Sequence, residues 1–202
     1  EIEPAIRDER RRCHTVSLHL STMADHHRIR RIAERQHGLV ARTQADAEGL
    51  TKRALERAVE RGWIERLSPR VLRINGSVRN EHQVAMAAVL DTKGGVVALE
   101  SAAALWGTRG FRLEPVHVLT TRRPHRGTAH LGIVHSSTSI SDDDRTVVDG
   151  IPVTTPLRTL LDLAGRLRPK RTESLCDDLW RRGLLRLEDL HALVADLPRR
   201  GG

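Results

Sequence analysis

Four glycines and three helix-capping side chains divide residues 25–76 into pieces so short that only small helices and hairpins fit between them. Asp25 suits an N-cap, since its carboxylate can accept hydrogen bonds from the free amides of a first turn. The helix it opens is expected from His26 to about His37, with Ile29, Ile32, Ala33 and Gln36 on one face. Gly38 suits the C-terminal cap, and Leu39-Val40-Ala41 is a short apolar run. Thr43 is expected to cap a second helix, Gln44 to Glu48, closed by Gly49, with Leu50 as a core plug. Thr51 is expected to cap a third, Lys52 to Arg61, closed by Gly62, with Ala54, Leu55, Ala58 and Val59 forming its apolar stripe. Trp63-Ile64-Glu65-Arg66-Leu67, the turn Ser68-Pro69-Arg70 and Val71-Leu72-Arg73-Ile74 read as a hairpin ended by Asn75-Gly76. Three short helices, a Gly-Leu-Thr link between the last two, and then a hairpin follow the order of a winged helix-turn-helix.

Charge points to the same segment. The chain carries 34 Lys and Arg against 26 Asp and Glu, a net of +8. Residues 23–79 hold 13 basic and 7 acidic side chains, whereas residues 80–202 hold 17 and 15, and residues 1–22 are neutral. A local cationic excess attracts polyanions, above all nucleic acid. Aromatic residues are scarce: Trp63, Trp106, Trp180 and Phe111, with no tyrosine. That argues against a single-strand binder, which stacks bases on aromatic platforms. In the helix-turn-helix reading, Lys52, Arg53 and Arg57 lie on the polar face of the third helix, near the end that reads base edges. Arginine suits guanine because its fork matches O6 and N7. Thr51, at the cap, is a natural phosphate anchor. Arg66, Arg70 and Arg73 lie on or beside the wing, where phosphate or minor-groove contacts are expected. The competing reading is a solvated amphipathic helix whose arginines are balanced by Glu56 and Glu60.

Outside this head, residues 1–22 show no sustained period and are expected to form a poorly ordered leader. The first methionine is Met23, so the leader is expected to be dispensable; its Arg10-Arg11-Arg12 run is the rival feature, a basic arm. Residues 80–202 read as a mixed α+β unit ending in helices. Glu81 to Leu90 is expected to be a helix with Val84, Ala85, Ala88 and Val89 inward, and Ser101 to cap a helix through Trp106. Strands are expected at 116–120, 133–135, 146–148 and 151–154, the last two joined by an Asp149-Gly150 turn. Pro156 opens a helix with the stripe Leu157, Leu160, Leu161 and Ala164. Leu175, Leu179 and Leu184 suggest another helix, and Leu187, Leu190, Leu193 and Val194 a last one.

Evidence for catalysis is thin. No histidine set has metal-ligand spacing, and Ser101 and Ser174 lack a nucleophile-elbow context. Asp142-Asp143-Asp144 reads as a solvated loop and not a calcium loop, while Trp106 and Trp180 on helical stripes read as core. An enzyme is therefore disfavoured, and nothing calls for a metal or cofactor. Cys13 and Cys176 lie far apart and leave one disulfide open, but nothing suggests a disulfide framework, and no apolar run approaches the roughly 18 residues of a membrane helix. A reducing, cytoplasmic setting fits.

Ile32-Ala33-Glu34-Arg35-Gln36-His37-Gly38-Leu39-Val40 resembles the opening of the N-terminal domain of AbiEi-type antitoxins. So do Gly49-Leu50-Thr51-Lys52-Arg53-Ala54-Leu55-Glu56-Arg57 and Gly62-Trp63-Ile64-Glu65-Arg66-Leu67. Ser101-Ala102-Ala103-Ala104-Leu105-Trp106-Gly107 resembles the middle region of related actinobacterial proteins. Gly150-Ile151-Pro152-Val153-Thr154-Thr155-Pro156, with Arg158-Thr159-Leu160 and Asp162-Leu163-Ala164 after it, does so too. The resemblance implies a transcriptional autorepressor and antitoxin of a type IV toxin–antitoxin pair. It would bind double-stranded operator DNA through the winged helix. It would counter a nucleotidyltransferase-like toxin through the later part, without a stable complex. The chain departs from the family where the wing commonly ends in a Gly-Val-Tyr-like segment; here it reads Arg70-Val71-Leu72-Arg73. Longer relatives continue into a Vsr-like nuclease domain near where this chain stops, which keeps open a remnant of such a protein or a protein-interaction module.

Overall fold

The computed structural model describes residues 26–121 and 130–191. It is an α+β chain whose residues fall into two compact units, dividing between Val78 and Arg79. The expected leader and Asp25 cap lie outside the described residues, as do Cys13, Leu193 and Val194.

The first unit is a winged helix-turn-helix. Helix α1 is described from residue 26 to 34, and buries Ile29 and Ala33 completely or nearly so. Gly38 follows at φ 82°, a left-handed conformation that costs glycine no Cβ clash. Leu39–Ala41 is strand β1, a role the apolar run alone did not announce. Helix α2 (Arg42–Ala47) starts earlier than the Thr43 cap implied. Its N-cap is Ala41, whose amide donates to Gln44 Oε1 at 2.8 Å, so a side chain reaching back replaces the hydroxyl. Gly49 (φ 89°) turns the chain, Leu50 is buried, and α3 (Lys52–Glu60) begins at the Thr51 cap. Strands β2 (Ile64–Arg66) and β3 (Val71–Ile74) form the wing. The sheet order is β1-β3-β2, all antiparallel, with Val40 opposite Leu72 and Glu65 opposite Arg73. Ile29, Val40, Leu55, Ile64 and Leu72 meet in one core; each such side chain contributes about 1.5–3 kcal/mol on burial.

The second unit is built on a five-stranded mixed sheet of order β6-β5-β4-β8-β7. These strands are β4 (Val96–Val97), β5 (His117–Thr120), β6 (Ile133–Ser136), β7 (Arg145–Val148) and β8 (Ile151–Thr154). The β7–β8 hairpin turns on Asp149 and Gly150, both at positive φ (48° and 80°), as a type I′ turn requires. Helices α4 (Glu81–Asp91), α5 (Leu99–Leu105), α6 (Pro156–Ala164) and α7 (Pro169–Arg181) accompany the sheet, and residues 187–191 are helical again. Val96, Leu119, Leu160, Leu163, Leu175 and Leu179 share its main core.

Several details differ from the sequence expectation. In α4, Val84 is 37% exposed while Met86 and Ala87 are buried. The stripe of α6 runs through Leu160 and Leu163, with Ala164 exposed. Ser101 is not a cap: α5 starts at Leu99 after Ala98. The Ser101 hydroxyl instead donates to the Leu113 carbonyl at 2.7 Å and accepts from the His117 amide at 2.9 Å, tying the following loop to β5. Trp106 belongs to the core and donates from Nε1 to the Thr154 carbonyl, but Trp180 is 55% exposed. Asp144 is no solvated loop residue. It accepts from Ser141 and, with Asp162, holds the buried Arg158 guanidinium of α6.

Candidate nucleic-acid interface

Helix α3 is amphipathic, with Leu55 and Ala58 buried in the core of the first unit. That anchoring leaves Thr51, Lys52, Arg53 and Arg57 exposed. Arg53 and Arg57 are four residues apart and therefore neighbours on one helix face. The Thr51 hydroxyl accepts from the Ala54 amide at 3.2 Å; such a cap contributes about 1 kcal/mol. It leaves the amides of Lys52 and Arg53 without helical acceptors. Among the described residues, Lys52, Arg53 and Arg57 form no ion pair with Glu56 or Glu60.

The wing is a short loop. Ser68 Oγ accepts from the amides of Arg70 and Val71, both at 3.1 Å, and Leu67 N donates to the Val71 carbonyl. This Ser-Pro turn holds Arg70 on the exposed tip, and Arg66 is exposed on β2. The Arg70 carbonyl accepts from the Arg42 amide at 2.7 Å, which joins the wing to the start of α2.

Arg73 is placed differently from the other candidates. It sits on the central strand, is 6% exposed, and its guanidinium is paired with Glu65 on the neighbouring strand. All four residues of β3 are buried, so the alternation that would have put Arg73 in solvent does not apply: both faces of this strand are covered. Arg73 is a packing residue of the wing, and a phosphate contact from it would require breaking that pair.

Sequence reasoning passed over a second cationic surface. A groove of about 410 Å³ is lined by Arg28, Arg31, Ile32, Arg35 and Gln36 of the α1 segment with Gln44 and Glu48. Four arginines against one glutamate between residues 26 and 37 were the available signal.

The second unit holds one titratable pair of note. His117 Nδ1 and His135 Nε2 are 2.9 Å apart across the parallel strands β5 and β6. Glu100 Oε2 lies 3.8 Å from the other His117 nitrogen. Burial first, then His117 and Arg166, lowers the His135 pKa, against the opposing pull of Glu100 and Asp162. Among the described residues no group of three or more His, Cys, Asp or Glu side chains is arranged to hold a metal ion. Nor is any helix among them long and apolar enough to cross a membrane.

Comparison with known families agrees with this division. Residues 27–70 match the family described as a transcriptional regulator, AbiEi antitoxin. Residues 95–181 match the AbiEi antitoxin C-terminal domain. No curated protein matches the chain. The first match spans α1 to the wing tip and the second spans β4 to the end of α7, each inside one structural unit. With a regulator segment and an antitoxin segment in this order, the chain belongs to the AbiEi-type antitoxin family.

Proposed function

We propose that this protein is a DNA-binding autorepressor and the antitoxin of a type IV toxin–antitoxin pair, reading double-stranded operator DNA with α3. The observation that carries the reading is the exposure of Lys52, Arg53 and Arg57 on a helix whose opposite face is fixed in the core. Arg53 and Arg57 are the base readers, each able to present two parallel N–H donors to guanine. Lys52 and the capped helix start hold a backbone phosphate, and Arg66 and Arg70 hold phosphates from the wing. Arg73 has no part in this assignment, because its guanidinium is committed to Glu65. The second unit is the antitoxin part, acting on a nucleotidyltransferase-like toxin without a lasting complex. No cofactor enters the mechanism, and the protein works in the cytoplasm, where its operator is.

Gel-shift titration tests the reading on the duplex upstream of the protein's own coding sequence and on a scrambled duplex, across a range of salt. The expected outcome is tighter binding to the upstream duplex at every salt concentration. Equal affinity for the two duplexes would overturn the operator reading. Growth rescue on co-expression with the neighbouring toxin, with no co-purification, is the matching expectation for the antitoxin part.

A further inference from the structure

We infer that the groove between α1 and α2 is a second phosphate-binding face, which holds the backbone of nucleic acid without reading bases. It rests on the nucleic-acid reading above, but not on α3. Arg28, Arg31 and Arg35 line the groove together. They are spaced three and four residues apart, so they stack along one face of the helical segment. Like charges at that spacing repel, and the groove offers little to offset them. Glu48 is its one acidic lining residue and reaches only Arg28, at 3.9 Å. Among the described residues, Arg31 and Arg35 have no ion pair.

One polar group of the groove also suits an anion. Gln44 Oε1 already accepts from the Ala41 amide, and the side-chain NH2 carries two N–H donors. A helical rise of 1.5 Å per residue sets Arg28 and Arg35 about 10 Å apart along the axis. That is room for more than one phosphate of a strand that carries a charge about every 3.4 Å. A guanidinium donates to two such oxygens at a time. An extended polypeptide advances about 3.3–3.6 Å per residue, so only an unbroken acidic run matches that charge density, whereas every nucleic-acid strand does; the observations favour a nucleic-acid backbone.

The test is the salt dependence of binding to a random-sequence duplex, where base reading contributes nothing. The full chain is compared with Arg31→Ala/Arg35→Ala and with Arg30→Ala, a residue of the same helix that does not line the groove. Circular dichroism checks that each variant is folded. The double variant should flatten the plot of log affinity against log salt by about 1.8, at 0.9 per lost phosphate contact. Arg30→Ala should leave the slope unchanged, and preference for the upstream duplex should survive in both variants. An unchanged slope in the double variant overturns the inference, as does a fall of about 0.9 in Arg30→Ala, which would be a general charge effect. Binding of poly-glutamate that the double substitution abolishes, with the duplex slope intact, also overturns it and assigns the groove to an acidic protein. If the wild type shows no preference for the upstream duplex, the operator reading fails while the slope still decides the groove.

Discussion

Replacing Arg73 separates what holds the wing together from what the wing touches. The side chain is 8% exposed and paired with Glu65, which is 41% exposed. In Arg73→Ala two losses add. Alanine keeps Cβ, so two buried methylenes of the stem are lost at about 0.8 kcal/mol each, reduced because the unfolded chain already shields part of that area, to about 1.3 kcal/mol. The ion pair adds about 1 kcal/mol at most, since Glu65 is 41% exposed and stays within reach of water. Arg73→Met keeps the stem and removes only the charge, so it should cost between 0 and about 1 kcal/mol. Amide hydrogen exchange of the 62–76 segment reads the difference locally. Protection should fall roughly thirtyfold in Arg73→Ala, equivalent to about 2 kcal/mol, and less than tenfold in Arg73→Met. The salt slope of duplex binding by folded Arg73→Met should equal that of the wild type. A slope flatter by about 0.9 with exchange unchanged would mean that Arg73 meets phosphate and that the burial argument is wrong.

Other perturbations test the remaining assignments. Arg53→Ala and Arg57→Ala should each weaken binding to the upstream duplex by about 1–3 kcal/mol and spare random duplex, whereas Arg70→Ala should weaken both and flatten the salt slope, as paired gel shifts would show. Arg158→Met strands Asp144 and Asp162, which are only 21% and 18% exposed. It should cost the second unit about 3 kcal/mol in urea unfolding, and a loss below 1 kcal/mol would deny the clamp. The His135 pKa is lowered in the fold, so the unfolded chain binds the extra proton first as pH falls. Stability from this group is therefore intact above the ordinary histidine range, declines as pH drops through about 6.5, and levels off below the folded value. His135→Asn should remove that part of the pH dependence of melting.

The features that sequence could announce were those closed by neighbouring residues. The Thr51 cap, the Gly49 turn, the Asp149-Gly150 hairpin and Pro156 at the head of α6 each act across a few positions, and each stands where its chemistry required. The misses have the opposite character. Strand β1 is three residues long and exists because β3 offers it an edge. Ser101 looked like a cap because nothing nearby revealed acceptor and donor partners 12 and 16 residues away. The α6 stripe was displaced because Arg158 and Thr159 are buried there, with Arg158 held by Asp144 and Asp162 in a way that hydrophobic spacing does not register.

The same distinction governs the candidate site. The charges of α3 were legible because an amphipathic helix sorts its own residues: once Leu55 and Ala58 are drawn into the core, Arg53 and Arg57 must point outward. Those of the wing were not, because a strand sorts its residues only if one face of its sheet is open to water. Central position and cover on both sides turned Arg73 inward and made Glu65 its partner, whereas Arg70, at a tip with no strand beyond it, stayed outside. A basic residue in a short wing is thus a phosphate candidate at the turn and a packing candidate in the central strand. The α1 arginines extend the point. Their spacing was as plain as that of α3, but only the adjoining α2, with Gln44 and Glu48, makes a groove of them. A charged face becomes a site when a second element gives it walls.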